Sequence, residues 1–443
     1  MNSKTIQNHL TSIKSLLILS LPLMVIQVFN QARSIVDVMM IGHVDEINLA
    51  GLSLASSTFM LLFLFVSSFS FALIAVFSEL YAKQDFDKIR FYVQQSVYFS
   101  VISGLLLGIF FMNTDFLFAK LNIQQETKDI ASDYLTIMGF SSVFGCVAMA
   151  LKSLMQSFVK NNQLLLITAI GFALNIPLNL VFIYGVEGFI DPMHARGAAV
   201  ATAICFVFDF VAVAIYCMMH EEMNPFKKLS KFNYKEQRNI INLGLPVGLG
   251  LVMEVGLFVA LAFLVSKFGE TVIGANQIAV NFTGVVFMLS LGVSLAVMQR
   301  VSFLKGLGDI EEIKQTVFSS VNISLLLSFV TISLTLMFKD SIVAMYTDDT
   351  LISAIAMKML TISIAYQLFD SLQAIGLGIL RAYKLNSSAT KMAFVCYWII
   401  GMLGGEILSR FYGAYGYWMG LIICFMVAAT LYYRKVYVVV WKN

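Results

Sequence analysis

The stretch from His220 to Arg238, HEEMNPFKKLSKFNYKEQR, is the longest hydrophilic run in a 443-residue chain that is 59% hydrophobic and only 12% charged. Soluble domains carry about a quarter charged residues, so with a mean hydropathy of +0.84 the rest of the chain reads as built for a bilayer. A hydrocarbon core of ~30 Å takes roughly 20 apolar residues to cross as a helix. Working back from His220, apolar runs predict spans at 14–42, 50–80, 91–113, 129–152, 162–185 and 196–219. Working forward from Arg238 they fall at 239–267, 272–304, 315–338, 352–380, 390–410 and 415–440. The expected fold is an all-α polytopic membrane protein with twelve transmembrane helices in two six-helix lobes, 1–219 and 239–443, joined by a cytoplasmic linker, 220–238. The first run follows Lys4 and Lys14, as a signal peptide's apolar core follows its basic start. It is too long for one and ends in no small-residue cleavage pattern, so a retained helix is expected.

Orientation follows from the loops. With the N-terminus inside, most of the 29 Lys and Arg fall in inner loops or at the termini, among them Lys83, Lys88, Arg90, Lys152, Lys160, Lys228 and Arg381. The outer loops hold only Lys120, Lys128, Arg196, Lys267, Lys339 and Arg410. Both termini are then cytoplasmic, which requires an even number of spans. The net charge of +3 suggests no nucleic-acid partner. Cys146, Cys205, Cys217, Cys396 and Cys424 lie inside apolar runs without a CxxC pair, and His9, His43, His194 and His220 are scattered without metal-ligand spacing. The cysteines read as small core residues, and no catalytic metal is expected.

The halves on either side of the linker align. A shift of 224 residues brings Pro22 onto Pro246, Ala55 onto Ala279, Phe63 onto Phe287, Asp85 onto Asp309 and Ile89 onto Ile313. One further residue brings Leu135-Thr136-Ile137 onto Leu360-Thr361-Ile362 and Asn161 onto Asn386. Six spans per half make the repeats parallel, related by an axis along the membrane normal as in parallel-repeat transporters, with a central cleft between two bundles.

Charged side chains deep in a span cost about 2.5–3.5 kcal/mol each and mark function by default. Here they are Arg33, Asp37, Asp209, Glu254 and Asp370. Glu254 and Asp370 fall near mid-depth in the seventh and tenth spans, and Tyr366 sits one turn before Asp370 on the same face. Two carboxylates and a phenol form an oxygen-rich pocket suited to a hard cation or one shared proton. The plainer reading is that each carboxylate only hydrogen-bonds a neighbouring helix. Arg33 precedes Asp37 by four residues, a spacing that allows an ion pair acting as a structural clasp. Asn175 and Asn179 bracket Pro177, and Gln277 and Asn281 repeat the one-turn spacing in the eighth span. Such amides line polar pockets or simply glue helices together. Asp209 stands alone in the sixth span, and Glu406 with Arg410 reads as a local pair.

These residues occur in a familiar order. Leu21-Pro22 through Asp37 with Met40-Ile41-Gly42, ALNIPLNLVFIYG at 173–185, and GAAVATA at 197–203 resemble the multidrug and toxic compound extrusion (MATE) family, closest to its NorM-like bacterial branch. So do Gly244-Leu245-Pro246 with Glu254, ANQIAVNF at 275–282, and Tyr366-Gln367-Leu368-Phe369-Asp370. The resemblance covers essentially the whole chain. It implies a V-shaped pair of six-helix lobes in a bacterial cytoplasmic (inner) membrane, a monomer that exports small organic cations in exchange for inward Na+ or H+. It further implies a cation-coupling cluster of Glu254, Tyr366 and Asp370, with Glu254 and Asp370 as Na+ ligands, and an N-lobe site of Asp37, Asn175, Asn179 and Thr202. No cofactor is implied beyond the coupling ion. The chain departs from the family pattern at Arg381-Ala382-Tyr383-Lys384-Leu385, where a glycine-containing basic loop ending in Asp is usual. It also departs at Ser157, where glycine is usual, and at Arg33, where the family has an uncharged residue.

Other functions fit less well. A lipid-linked saccharide flippase of the same superfamily would want a cationic cavity for pyrophosphate, whereas the deep residues here are mainly acidic. An intramembrane enzyme would need a motif such as HExxH or GxSxG, and none is present. A channel would not require two lobes with unlike acidic sites.

Overall fold

The computed structural model describes residues 3–119, 123–227 and 229–442. Lys120 and Lys228 of the charge reading lie outside them, as do the side chains of Lys4 and His9. Twelve helices are long and apolar enough to cross a membrane. The first six are Ile13–Gly42, Glu46–Ala82, Phe86–Phe111, Gln125–Ser157, Asn161–Tyr184 and His194–Met219. The other six are Tyr234–Phe268, Glu270–Leu307, Ile310–Ala344, Thr350–Ala382, Asn386–Tyr412 and Ala414–Trp441. Every expected span is matched within a few residues, the helices running slightly longer because polar caps and first turns extend past the apolar stretch.

The turns carry the repeat. Gln84 and Gly308 both adopt left-handed backbone, and the aspartates that follow cap the third and ninth spans. Asp85 accepts from the Lys88 amide at 3.2 Å, and Asp309 from the Glu312 amide at 3.0 Å. Val159 and Lys384 form the second such pair, each two residues before the asparagine that opens the fifth or eleventh span. These are the two registers that align the halves in sequence. A capping carboxylate satisfies amides that a helix start leaves without partners, worth about 1 kcal/mol.

The chain forms two compact units, Val28–Gly248 on one hand and Met1–Gln27 with Leu249–Asn443 on the other. The division falls inside the first and seventh helices and not at the 220–238 linker. Close packing within each unit explains it. A Cβ on Gly244 would lie 2.6 Å from the Phe69 Cα of the second span, so the start of the seventh span belongs with the N-terminal helices. A Cβ on Gly292 would lie 2.5 Å from the Met24 Cα, which ties the early first span to the eighth. The linker itself is stitched to the third span. Gln94 accepts from the Ser230 amide at 2.8 Å, and Gln95 donates to the Lys231 carbonyl at 2.9 Å while accepting from the Asn233 amide at 2.9 Å. All five cysteines are buried free thiols.

Candidate functional site

In the second unit the tenth span turns a polar stripe inward. Ser363, Tyr366, Gln367, Asp370, Ser371 and Gln373 are all buried, at the three- and four-residue spacing of one helix face. Buried polar groups need partners, and neighbouring helices supply them. Ser371 and Ser324 of the ninth span share a hydrogen bond of 2.8 Å, and Ser294 of the eighth donates to the Ala374 carbonyl at 2.6 Å.

Glu254 and Asp370 meet at this stripe through Gln373. Its amide nitrogen donates to Glu254 Oε1 and to Asp370 Oδ1, each at 3.4 Å. Both contacts are long for N–H···O bonds, so one amide is stretched between two carboxylates. The Gln373 carbonyl accepts from the Tyr397 hydroxyl at 2.9 Å. Tyr397 lies in a π-helical turn, Val395–Gly401, inside the eleventh span. Segments of this kind are rare and frequent at functional sites. The Tyr366 ring is packed edge-on against Phe258, Trp418 and Phe425. Among the described residues no third His, Cys, Asp or Glu joins the two carboxylates, so a cation held here needs neutral oxygens as well. Among the described residues the direct ion pairs of this unit lie elsewhere, Arg300 with Glu312, Lys314 with Glu311 at 2.7 Å and Lys267 with Glu406 at 3.0 Å, while Arg381 acts on Glu254 electrostatically without pairing with it. The Lys267 pair corrects the expected Glu406–Arg410 partnership: Glu406 is held from the end of the seventh span by Lys267 and by the Tyr417 hydroxyl.

Gln277 donates to Asn281 at 3.2 Å, and both side chains are exposed. A buried amide of that helix, one residue before Gln277, is Asn276, which accepts from the Trp418 indole at 3.1 Å.

The four residues expected together in the first unit are together. Asn179 donates to Asp37 Oδ1 at 2.6 Å and to the Asn175 carbonyl oxygen at 3.3 Å, and Thr202 donates to Asp37 Oδ2 at 3.2 Å. Asp37, Asn175 and Asn179 are buried.

Arg33 does not clasp Asp37. Its Nη1 donates to Asp209 Oδ2 at 3.2 Å, and Lys152 Nζ reaches the same oxygen at 2.9 Å. An i,i+4 ion pair is weaker with the base N-terminal to the acid, and that is the order of Arg33 and Asp37. The fifth span leaves the space: a Cβ on Gly171 would sit 2.3 Å from Arg33 Nη2 and 3.0 Å from Asp209 Oδ1. Asp209, without an evident partner in sequence, is thus the shared counter-charge of two cations. Lys152, assigned to an inner loop from sequence, lies within the fourth helix with its ammonium turned inward. Two positive and two negative groups, Asp37 included, balance inside the unit.

A family model described as MatE matches residues 22–181 and 246–406. The chain is 30% identical over 428 residues to a probable multidrug resistance protein NorM from Pasteurella multocida, covering 94% of this chain and 92% of that protein. It is also 30% identical over 413 residues to multidrug resistance protein NorM from Aliivibrio fischeri, covering 91% and 90%. Among solved structures, the outward-facing conformation of a multidrug resistance MATE family transporter of the MOP superfamily matches with a TM-score of 0.90. That match covers 98% of this chain and 97% of the other at 17% identity, a likeness of fold.

Proposed function

This chain belongs to the MatE family of multidrug and toxic compound extrusion transporters, and we propose from that premise that it exports small organic cations in exchange for inward sodium. Its relatives are transporters, not enzymes, and those similar over nearly its whole length bear multidrug resistance names. The observation that carries the ion assignment is the pair of buried carboxylates, Glu254 and Asp370, held apart by a single neutral amide. Two such carboxylates repel until a cation stands between them, and oxygen donors suit a hard ion. Tyr366 joins them as a phenol ligand. In the other unit Asp37, whose direct partners are Asn179 and Thr202, counters the positive charge of the substrate, with Asn175, Asn179 and Thr202 orienting it. Sodium entry and substrate exit alternate as the two lobes open to one side and then the other, with the protein acting as a monomer. Each charge crossing ~100 mV contributes about 2.3 kcal/mol to that cycle.

In proteoliposomes, efflux of a fluorescent organic cation should follow an imposed sodium gradient and ignore a pH gradient at constant sodium. Efflux driven by the pH gradient alone would assign the coupling to protons.

The bacterial relatives and the excess of Lys and Arg in the inner loops support a bacterial inner-membrane protein with both termini and the linker in the cytoplasm. Lys235 is exposed in that linker. A Lys235→Cys protein in intact cells should resist an impermeant maleimide and react with it once the membrane is opened. Labelling of intact cells would invert the orientation.

A further inference from the structure

We propose that Gln373 is a switching ligand of the cation site: its amide turns over when the ion binds, exchanging a donor shared by two carboxylates for a carbonyl oxygen that faces the cation. The inference rests on the sodium reading of Glu254 and Asp370 above and adds to it a residue that was not part of the sequence-derived site.

Both hydrogens of the Gln373 amide are committed to carboxylates, one to Glu254 and one to Asp370, at 3.4 Å each. A carboxamide has two N–H donors on one side and an acceptor oxygen on the other. In the present orientation it bridges two negative groups but cannot ligate a cation. A positive ion arriving between the carboxylates would meet the N–H face and be repelled by it. Half a turn about the terminal side-chain bond, a soft torsion, puts the carbonyl oxygen there instead and supplies one of the neutral oxygens the site needs.

The partner on the far side permits the exchange. Tyr397 now donates to the Gln373 carbonyl at 2.9 Å. A phenol both donates and accepts, so after the turn it takes a hydrogen bond from the amide nitrogen. Its own proton is then released from Gln373, on the side of the eleventh span where the Tyr432 hydroxyl donates to the Ala389 carbonyl at 3.5 Å. Gln373 is fully buried. The π-helical turn Val395–Gly401 sets Tyr397 at this position. It connects ion arrival on the tenth span to the eleventh and twelfth.

Binding is measured on purified full-length protein in detergent, titrating sodium chloride against choline chloride at constant ionic strength. Gln373→Met keeps the length of the side chain and removes the amide. It should bind sodium at least tenfold more weakly than the unaltered protein. A sodium-induced infrared difference spectrum of the unaltered protein should contain a shifted glutamine carbonyl band and a tyrosine band, and the Gln373→Met spectrum should lack the former. Unchanged affinity in Gln373→Met, or no glutamine band on sodium binding, overturns the switch. Glu254→Gln in the same titration separates the two ideas. If it binds sodium normally the site reading itself fails; if it loses binding while Gln373→Met does not, only the switch fails.

Discussion

Asp209→Asn is expected to destabilise the folded protein by about 3–5 kcal/mol, the cost of removing one partner from a buried ion pair. The substitution is nearly isosteric, so packing is preserved and the loss is electrostatic. Arg33, buried beside Gly171, and the part-buried Lys152 would be left with no anion between them. The pairing is already sparse: Arg33 Nε and Nη2 and Asp209 Oδ1 are buried without hydrogen-bond partners. Thermal unfolding of the purified protein should show a large fall in midpoint. Replacing all three charges together, Arg33→Met, Lys152→Met and Asp209→Leu, should recover most of it, because an apolar replacement of a buried triad is often neutral. An Asp209→Asn protein that unfolds with the unaltered one would mean the triad is hydrated and the burial argument fails.

Neutralising Glu254 or Asp370 to its amide should abolish gradient-driven efflux while leaving amount and folding intact. Each change deletes the charge that makes the site a cation site, and each adds an amide next to the Gln373 amide already there. Tyr366→Phe keeps the ring that packs on Trp418 and Phe425 and removes only the hydroxyl. It should weaken ion affinity and leave transport measurable at high sodium. Well-folded Glu254→Gln and Asp370→Asn proteins that both export at the normal, gradient-dependent rate would move the coupling to Asp37.

The helices were readable because twenty-residue apolar runs leave little choice of structure. The repeat was readable too, and the left-handed turns at Gln84 and Gly308 and at Val159 and Lys384 show why its register survives where identity does not. A capped turn fixes where a helix starts, whatever covers its outer face. Partners were a different matter. Arg33 and Asp37 are neighbours along the chain, but the contact that forms is between residues 176 positions apart, and helix spacing says nothing about such a pair. Gln373 was missed although the signal was present. Asp370 follows Tyr366 by four residues and Gln373 follows Asp370 by three, the same face of the tenth span, but a neutral amide carries no insertion penalty large enough to draw attention. The boundary between units was also hidden, since helices that divide between two packed bodies look uninterrupted in sequence.

The burial of every thiol has a practical corollary. A thiol enclosed by helices does not meet a reagent, so the natural protein already serves as a silent background for site-directed labelling. The same thiols become reporters when helices part. Cys146, Cys205 and Cys217 belong to one compact unit, and Cys396 and Cys424 to the other. A maleimide dye that fluoresces on reaction would therefore time the opening of each unit separately, once the thiols of the other are changed to alanine. Asp209→Asn should quicken the first clock before the second, because the charges it unbalances lie wholly among the helices that enclose Cys205.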